Sequence, residues 1–207
     1  MSAGMQAPTS LLSIGGFRRF TASQYHKLID TGIIYEGEPV ELLEGYLVEK
    51  GIRNPPHDGA ITRLTNLLPP LLPPGWITRI QCPISLGPSE PEPDGAVVRG
   101  NYSSFDHRLP LAADFGIDIE VSDSTLSFDR GDKGRIYSRT GIPVYWIVNV
   151  AERQIEVYSD PDSASNPPAY LTRTDYKPGQ DVPILLDGVA AGQIAATVSS
   201  PSQWKSE

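Results

Sequence analysis

At 207 residues, with 39% apolar and 20% charged residues, the chain has enough apolar side chains for a packed core and enough charge to solvate its surface. No apolar run approaches the roughly 20 residues needed to cross a bilayer, and residues 1–14 lack the basic flank and long apolar segment of a secretory signal; a cytoplasmic protein with no membrane association is expected. The formal charge of -8 works against broad adhesion to nucleic acid, although carboxylates that hold a divalent metal swell the same count and a local cationic strip still meets phosphate.

The lone cysteine, Cys82, rules out an intrachain disulfide and a Cys/His zinc framework. It is expected to pack as a small apolar residue.

Residues 1–18 read as a flexible lead-in and 19–207 as a single domain, with 160–207 as a loop-rich C-terminal extension. Between Thr21 and Ile33, Tyr25, Leu28 and Ile29 recur at helical spacing, with Thr21 as N-cap and Gly32 as terminator. Val40 to Lys50 reads as a hairpin turning at Glu44-Gly45. Asn54-Pro55-Pro56 breaks the chain, and a second helix follows from His57 to Leu68, where Ile61, Leu64, Leu67 and Leu68 form an apolar stripe. Three strands are expected at Trp76 to Leu86, Asp94 to Arg99 and Phe115 to Ser122. Ser127 to Thr140 reads as a helix capped by Gly141, leading into the buried strand Val144 to Val150 and a partner strand at Gln154 to Tyr158. Beyond Asp160, weak strands are expected only at Ile184 to Leu186 and Gln193 to Val198. This order predicts an α/β fold with a central mixed β-sheet flanked by helices. No Gly-x-Gly-x-x-Gly, Walker-type loop or Gly-x-Ser-x-Gly elbow is present.

Two acids stand out in strand-like surroundings, Asp94 and Glu120. Strand alternation puts Asp118, Glu120 and Ser122 on one face and Ile117, Ile119 and Val121 on the other. Burying an ionised carboxylate costs several kcal/mol, roughly, unless a cation or hydrogen-bond donors compensate. If the two strands are neighbours, the pair would hold Mg²⁺ or Mn²⁺ through oxygen ligands, with a main-chain carbonyl near Val121 as a further donor. The bland alternative leaves Asp94 in a Pro-Asp-Gly turn and Glu120 paired with an arginine. Lys133, with Arg130 three residues before it and Tyr137 four after it, reads as one helical stripe. Its ammonium would polarise a scissile phosphate, with Arg130, Arg135 and Arg139 as nucleic-acid backbone contacts; the alternative is a solvated basic face.

These segments resemble the PD-(D/E)xK nuclease superfamily, and more closely its Uma-two-type restriction endonuclease branch. The resemblance spans roughly Arg19 to Tyr158. It is carried by Phe20 to Ile29, Glu41-Leu42-Leu43-Glu44-Gly45, Pro91-Glu92-Pro93-Asp94, Ile119-Glu120-Val121-Ser122, Asp129-Arg130-Gly131-Asp132-Lys133 and Gly141 to Val148. It implies a restriction-endonuclease-like core, a divalent metal on Asp94 and Glu120, and a lysine that assists hydrolysis of DNA. The superfamily's usual lysine follows its acid by two positions, where this chain has Ser122; Lys133 looks like its replacement, arriving from the helix. The family pattern also makes Glu41 an accessory acid, against a solvent-facing strand position, while Glu44 serves the turn. His57 is an accessory candidate at the start of the second helix. A homodimer would supply two sites for two strands. The competing reading is a catalytically inactive nuclease-like module that binds DNA or protein.

Overall fold

The computed structural model describes residues 16–199 apart from residue 52; the greater part of the expected lead-in lies outside the described residues. The first helix, α1 (Ala22–Asp30), starts where Thr21 and Gln24 satisfy each other's backbone N–H groups in a capping box. The hairpin β1 (Val40–Leu43) and β2 (Tyr46–Glu49) turns through Glu44 and Gly45, both at positive φ (50° and 85°), as a two-residue hairpin turn requires. Asn54-Pro55-Pro56 does not break the chain ahead of a helix; it begins the helix α2 (Pro55–Leu67), with Asn54 as N-cap and proline at the first turn, where its missing N–H costs nothing.

Six strands form one sheet: β3 (Trp76–Ile80), β4 (Gly95–Arg99), β5 (Phe115–Ser122), β6 (Val144–Asn149), β7 (Gln154–Asp162) and β8 (Ala169–Tyr176), in sequence order. Only β5 and β6 pair in parallel. Their crossover is continuously helical from Leu126 to Thr140: α3 (Leu126–Phe128), a π-helical stretch (Asp129–Lys133) and α4 (Gly134–Thr140). It ends at Gly141, whose φ of 79° supplies the left-handed cap. The expected α/β fold with a central mixed sheet is the one observed.

Two expectations are corrected. The strand from Trp76 ends at Ile80 rather than Leu86, because Gln81 turns into the left-handed region (φ 50°) and Pro83 has no N–H for a ladder. The segment after 160, read as loop-rich, is largely strand: β7 runs to Asp162, β8 forms the sheet edge, and β9 (Asp181–Leu186) and β10 (Val189–Ala195) make a separate antiparallel pair. Most of β8 is exposed on both faces, so it lacks the apolar alternation that marks a strand in sequence.

The sheet is packed on both sides. Ile117, Ile119 and Val121 of β5 join Trp146 and Val148 of β6 against Ala60, Ile61 and Leu64 of α2 and Val182, Ile184 and Ile194 of the β9–β10 pair. The opposite face brings Val98, Tyr145 and Ile147 against Ile136 and Tyr137 of α4 and Leu43 of the hairpin. The β-parity read from the sequence therefore holds, and it sends Asp118 and Glu120 toward α4. Cys82 is half-buried, its thiol donating to the Ile80 carbonyl at 3.2 Å. No helix among the described residues is long and apolar enough to cross a membrane.

Candidate active site

Asp94 is the last residue before β4. Gly95 pairs with Ile119 across the antiparallel β4–β5 ladder, so one further step of that register sets Asp94 opposite Glu120. The contact is sealed by the Val121 N–H, which donates to Asp94 Oδ2 at 2.8 Å. Asp94 thus does not serve a free Pro-Asp-Gly turn. Its Oδ2 also accepts from His57 Nε2 at 3.2 Å. His57 is aimed by the start of α2: its N–H bonds to the Asn54 cap (3.1 Å), and the Asn54 amide ties that helix start to Asp123 just beyond β5 (2.5 Å).

Glu120 is buried and receives two donors on one oxygen: Lys133 Nζ at 2.8 Å and the Tyr137 hydroxyl at 2.6 Å, both to Oε1. Its partner is thus a lysine from the crossover, not an arginine. Lys133 Nζ also lies 3.3 Å from Glu41 Oε1, and Glu41 Oε2 accepts the Glu92 N–H at 3.1 Å. Glu41 is 2% exposed, so the solvent-facing alternative is corrected: the hairpin folds over the site, tied by Glu90 N–H to Leu42 C=O at 2.7 Å.

The stripe reading of the crossover is corrected as well. The Gly134 N–H reaches back to the Asp129 carbonyl in an i→i−5 bond, and this wider π turn breaks the 3.6-residue period on which the stripe relied. Lys133 and Tyr137 meet at Glu120, whereas Arg130 is drawn to Glu156 (2.5 and 2.9 Å). Arg135 forms a two-pronged pair with Glu44 (2.7 and 2.7 Å), and Arg139 joins the same carboxylate. These three arginines are held outside the cavity by acids, and Glu44 binds two of them besides making the turn.

A cavity of about 400 Å³ collects Glu41, His57, Asp94, Glu120, Asp129 and Lys133 on its wall. Asp129 was not among the residues singled out by sequence. It is 3% exposed, accepts from Thr125 Oγ1 at 2.6 Å, and sits one π turn before Lys133; its place in the Asp129–Lys133 segment was the available signal. Tyr137 was noted for spacing and missed as a donor. Asp118, two residues before Glu120 on the same face, is fully buried, and both its carboxylate oxygens lack a hydrogen-bond partner among the described residues.

Charge in this region is unbalanced. Burial pushes the Glu120 carboxyl well above the usual range; Lys133 opposes the rise, and Asp94, Asp129 and Asp118 add to it. Asp118 is raised by burial too, again against the pull of Lys133. Burial would release the Lys133 proton, but Glu120, Glu41 and Asp129 outweigh it and hold the ammonium charged. Asp94 goes the other way: burial is overcome by the His57 hydrogen bond and charge and by the Val121 N–H, which keep the carboxylate ionised. His57 is raised, as Asp94 and Asp58 outweigh its burial. No group of three or more His, Cys, Asp or Glu side chains among the described residues is arranged to hold a metal unaided.

A family model described as "Uma2: Putative restriction endonuclease" matches residues 22–195. The chain belongs to the Uma2 family. Among solved structures, a crystal structure of "a putative nuclease belonging to DUF820" from Anabaena variabilis ATCC 29413 is similar to this Uma2 chain, with a TM-score of 0.65 and 14% identity over 87% of this chain and 97% of that one. At that identity the likeness concerns the fold. No curated protein gives a significant match to this Uma2 chain.

Proposed function

We propose that the chain is a divalent-metal-dependent endonuclease that hydrolyses DNA phosphodiester bonds at the cavity walled by Asp94, Glu120 and Lys133. The observation that carries this reading is the pairing of Asp94 and Glu120 across the β4–β5 ladder with a buried lysine on the same carboxylate. The donor set fits Mg²⁺ or Mn²⁺: contacts fall on Oδ2 of Asp94 and Oε1 of Glu120, which leaves Oδ1 and Oε2 for a hard cation that takes oxygen ligands. Lys133 and His57 together face Glu41, Asp94, Asp118, Glu120 and Asp129, which leaves an acid surplus of the kind a divalent ion relieves. Membership of a family described as "Putative restriction endonuclease" supports nuclease chemistry, and the fold is shared with the Anabaena protein titled "a putative nuclease".

When bound, the metal would lower the pKa of a water and offset charge on the phosphate. The protein's own groups do the rest. His57 and the Val121 N–H hold Asp94 ionised and oriented, and Tyr137 fixes the Glu120 rotamer. Lys133, charged and gripped by Glu120 and Glu41, presents an immobile cation to the charge that develops on the phosphate, where a preorganised charge in a dry site counts most. Glu41 acts by placing Lys133. Two copies in a homodimer would address both strands.

The test is cleavage of DNA by purified protein with Mg²⁺ or Mn²⁺. Wild type is expected to cut, and Glu120→Ala and Asp94→Asn to lose cutting while remaining folded. Unaltered cleavage by both variants would overturn the assignment.

A further inference from the structure

Three lysine and arginine side chains line the cavity: Lys50, Arg53 and Lys133. Two are committed to acids, Lys133 to Glu120 and Glu41 and Lys50 to Glu92 at 2.8 Å. Arg53 differs. Its Nη1 donates to the neutral amide oxygen of Gln81 at 2.6 Å, and among the described residues it forms no ion pair.

Gln81 is positioned from the site itself, because its N–H donates to the main-chain carbonyl of Asp94 at 3.2 Å. Its backbone holds a φ of 50°, a conformation uncommon outside glycine, just where β3 gives way to the cavity wall. Asp94, Gln81 and Arg53 therefore form a relay of two hydrogen bonds, through the Asp94 main chain, that fixes an exposed guanidinium with no ion pair among the described residues on the wall of the cavity that Asp94 also lines. A planar guanidinium matches a phosphate diester in geometry and charge. Arg130, Arg135 and Arg139, by contrast, are already engaged by Glu156 and Glu44 away from the cavity.

We propose that Arg53, held by Gln81, binds the backbone phosphate next to the scissile phosphodiester of a DNA strand seated in the cavity; this rests on the nuclease reading above. It makes Arg53 a substrate-positioning residue and assigns the backbone contact to the loop before α2 instead of the crossover helix.

The test is equilibrium binding of a fluorescent DNA duplex to the full chain in Ca²⁺ across a salt series, with steady-state cleavage in Mg²⁺ alongside. Arg53→Ala is expected to weaken binding about tenfold and to lower the slope of log affinity against log salt by about 1. Its KM should rise with kcat unchanged. Arg53→Lys should keep the slope, and Arg139→Ala should move neither quantity. An Arg53→Ala protein with wild-type affinity and slope would overturn the proposal, as would a fall in kcat at constant KM. Wild-type protein that binds DNA without cutting it would overturn the nuclease reading while the slope still decides the role of Arg53; wild-type protein that binds no DNA would overturn both.

Discussion

On one face of β5, Ile117, Ile119 and Val121 are 0%, 0% and 3% exposed; on the other, Asp118, Glu120 and Ser122 are 0%, 4% and 0% exposed. Equal burial rests on different physics. The apolar face needs only volume to pack against, which α2 and the β9–β10 pair supply. The polar face needs opposite charge and donors, and those it has come from outside the strand: one ammonium from the π segment and one hydroxyl from α4, both on Glu120, while neither Asp118 oxygen has a hydrogen-bond partner among the described residues. Lys133 is outnumbered by the acids whose charge acts on it, Glu120, Glu41 and Asp129, so burial on this face carries an electrostatic cost that the apolar face does not. Apolar packing is concentrated on the first face and charged hydrogen bonding on the second.

The largest expected effect comes from breaking the polar face. Lys133→Met keeps the stem and removes the charge, leaving Glu120 and Glu41 buried without a cation; about 3–5 kcal/mol of stability should go. Cleavage should fall about 10²–10³-fold. Urea unfolding in metal-free buffer, repeated with Mn²⁺, checks this: the midpoint should drop and Mn²⁺ should recover part of it, whereas an unchanged midpoint would mean that Lys133 does not compensate these acids.

Breaking the apolar face should separate the two functions. Ile119→Ala is expected to cost about 2–5 kcal/mol, read from the denaturation midpoint, with cleavage per folded molecule retained because Ile119 points away from the cavity. Loss of cleavage with stability intact would show that the faces are not independent.

The smallest effect lies outside β5 and is read from its pH dependence. The Arg135 hydrogen bond, working against partial burial and reinforced by Arg139, holds the Glu44 carboxyl down at about 2. A depressed folded-state pKa contributes stability that is complete above the ordinary carboxylate range and disappears as pH falls toward about 2. Glu44→Gln should therefore lower stability at neutral pH by about 0–1 kcal/mol and leave it unchanged at the acid end. Equal loss at both ends would mean that the ion pair is not the source.

The sequence was most legible where local periodicity carries the information. The two faces of β5, the Glu44-Gly45 turn and the Gly141 cap follow from rules that act over a few residues, and Glu120 inside β5 and Asp94 at the edge of β4 could be singled out because charge in or next to an apolar strand is conspicuous. What escaped depends on long-range pairing or on a change of period. Nothing near Arg135 indicates that Glu44, 91 residues away, will occupy it, and the π turn that parts Arg130 from Lys133 leaves no mark in the residue spacing. The edge strand β8 was invisible because exposure on both faces removes its alternation. Arg53 was passed over because its meaning comes from Gln81 and Asp94, which reach it only in the folded chain.

Asp94 and Glu120, joined across the β4–β5 edge, are proposed to form one cation site. Calorimetric titration of the purified chain with Mn²⁺ tests it directly. A single saturable binding event is predicted for wild type, absent in Asp94→Asn and in Glu120→Gln and preserved in Glu44→Gln. Binding that persists unchanged in both acid variants, or no saturable binding by wild type, would contradict it.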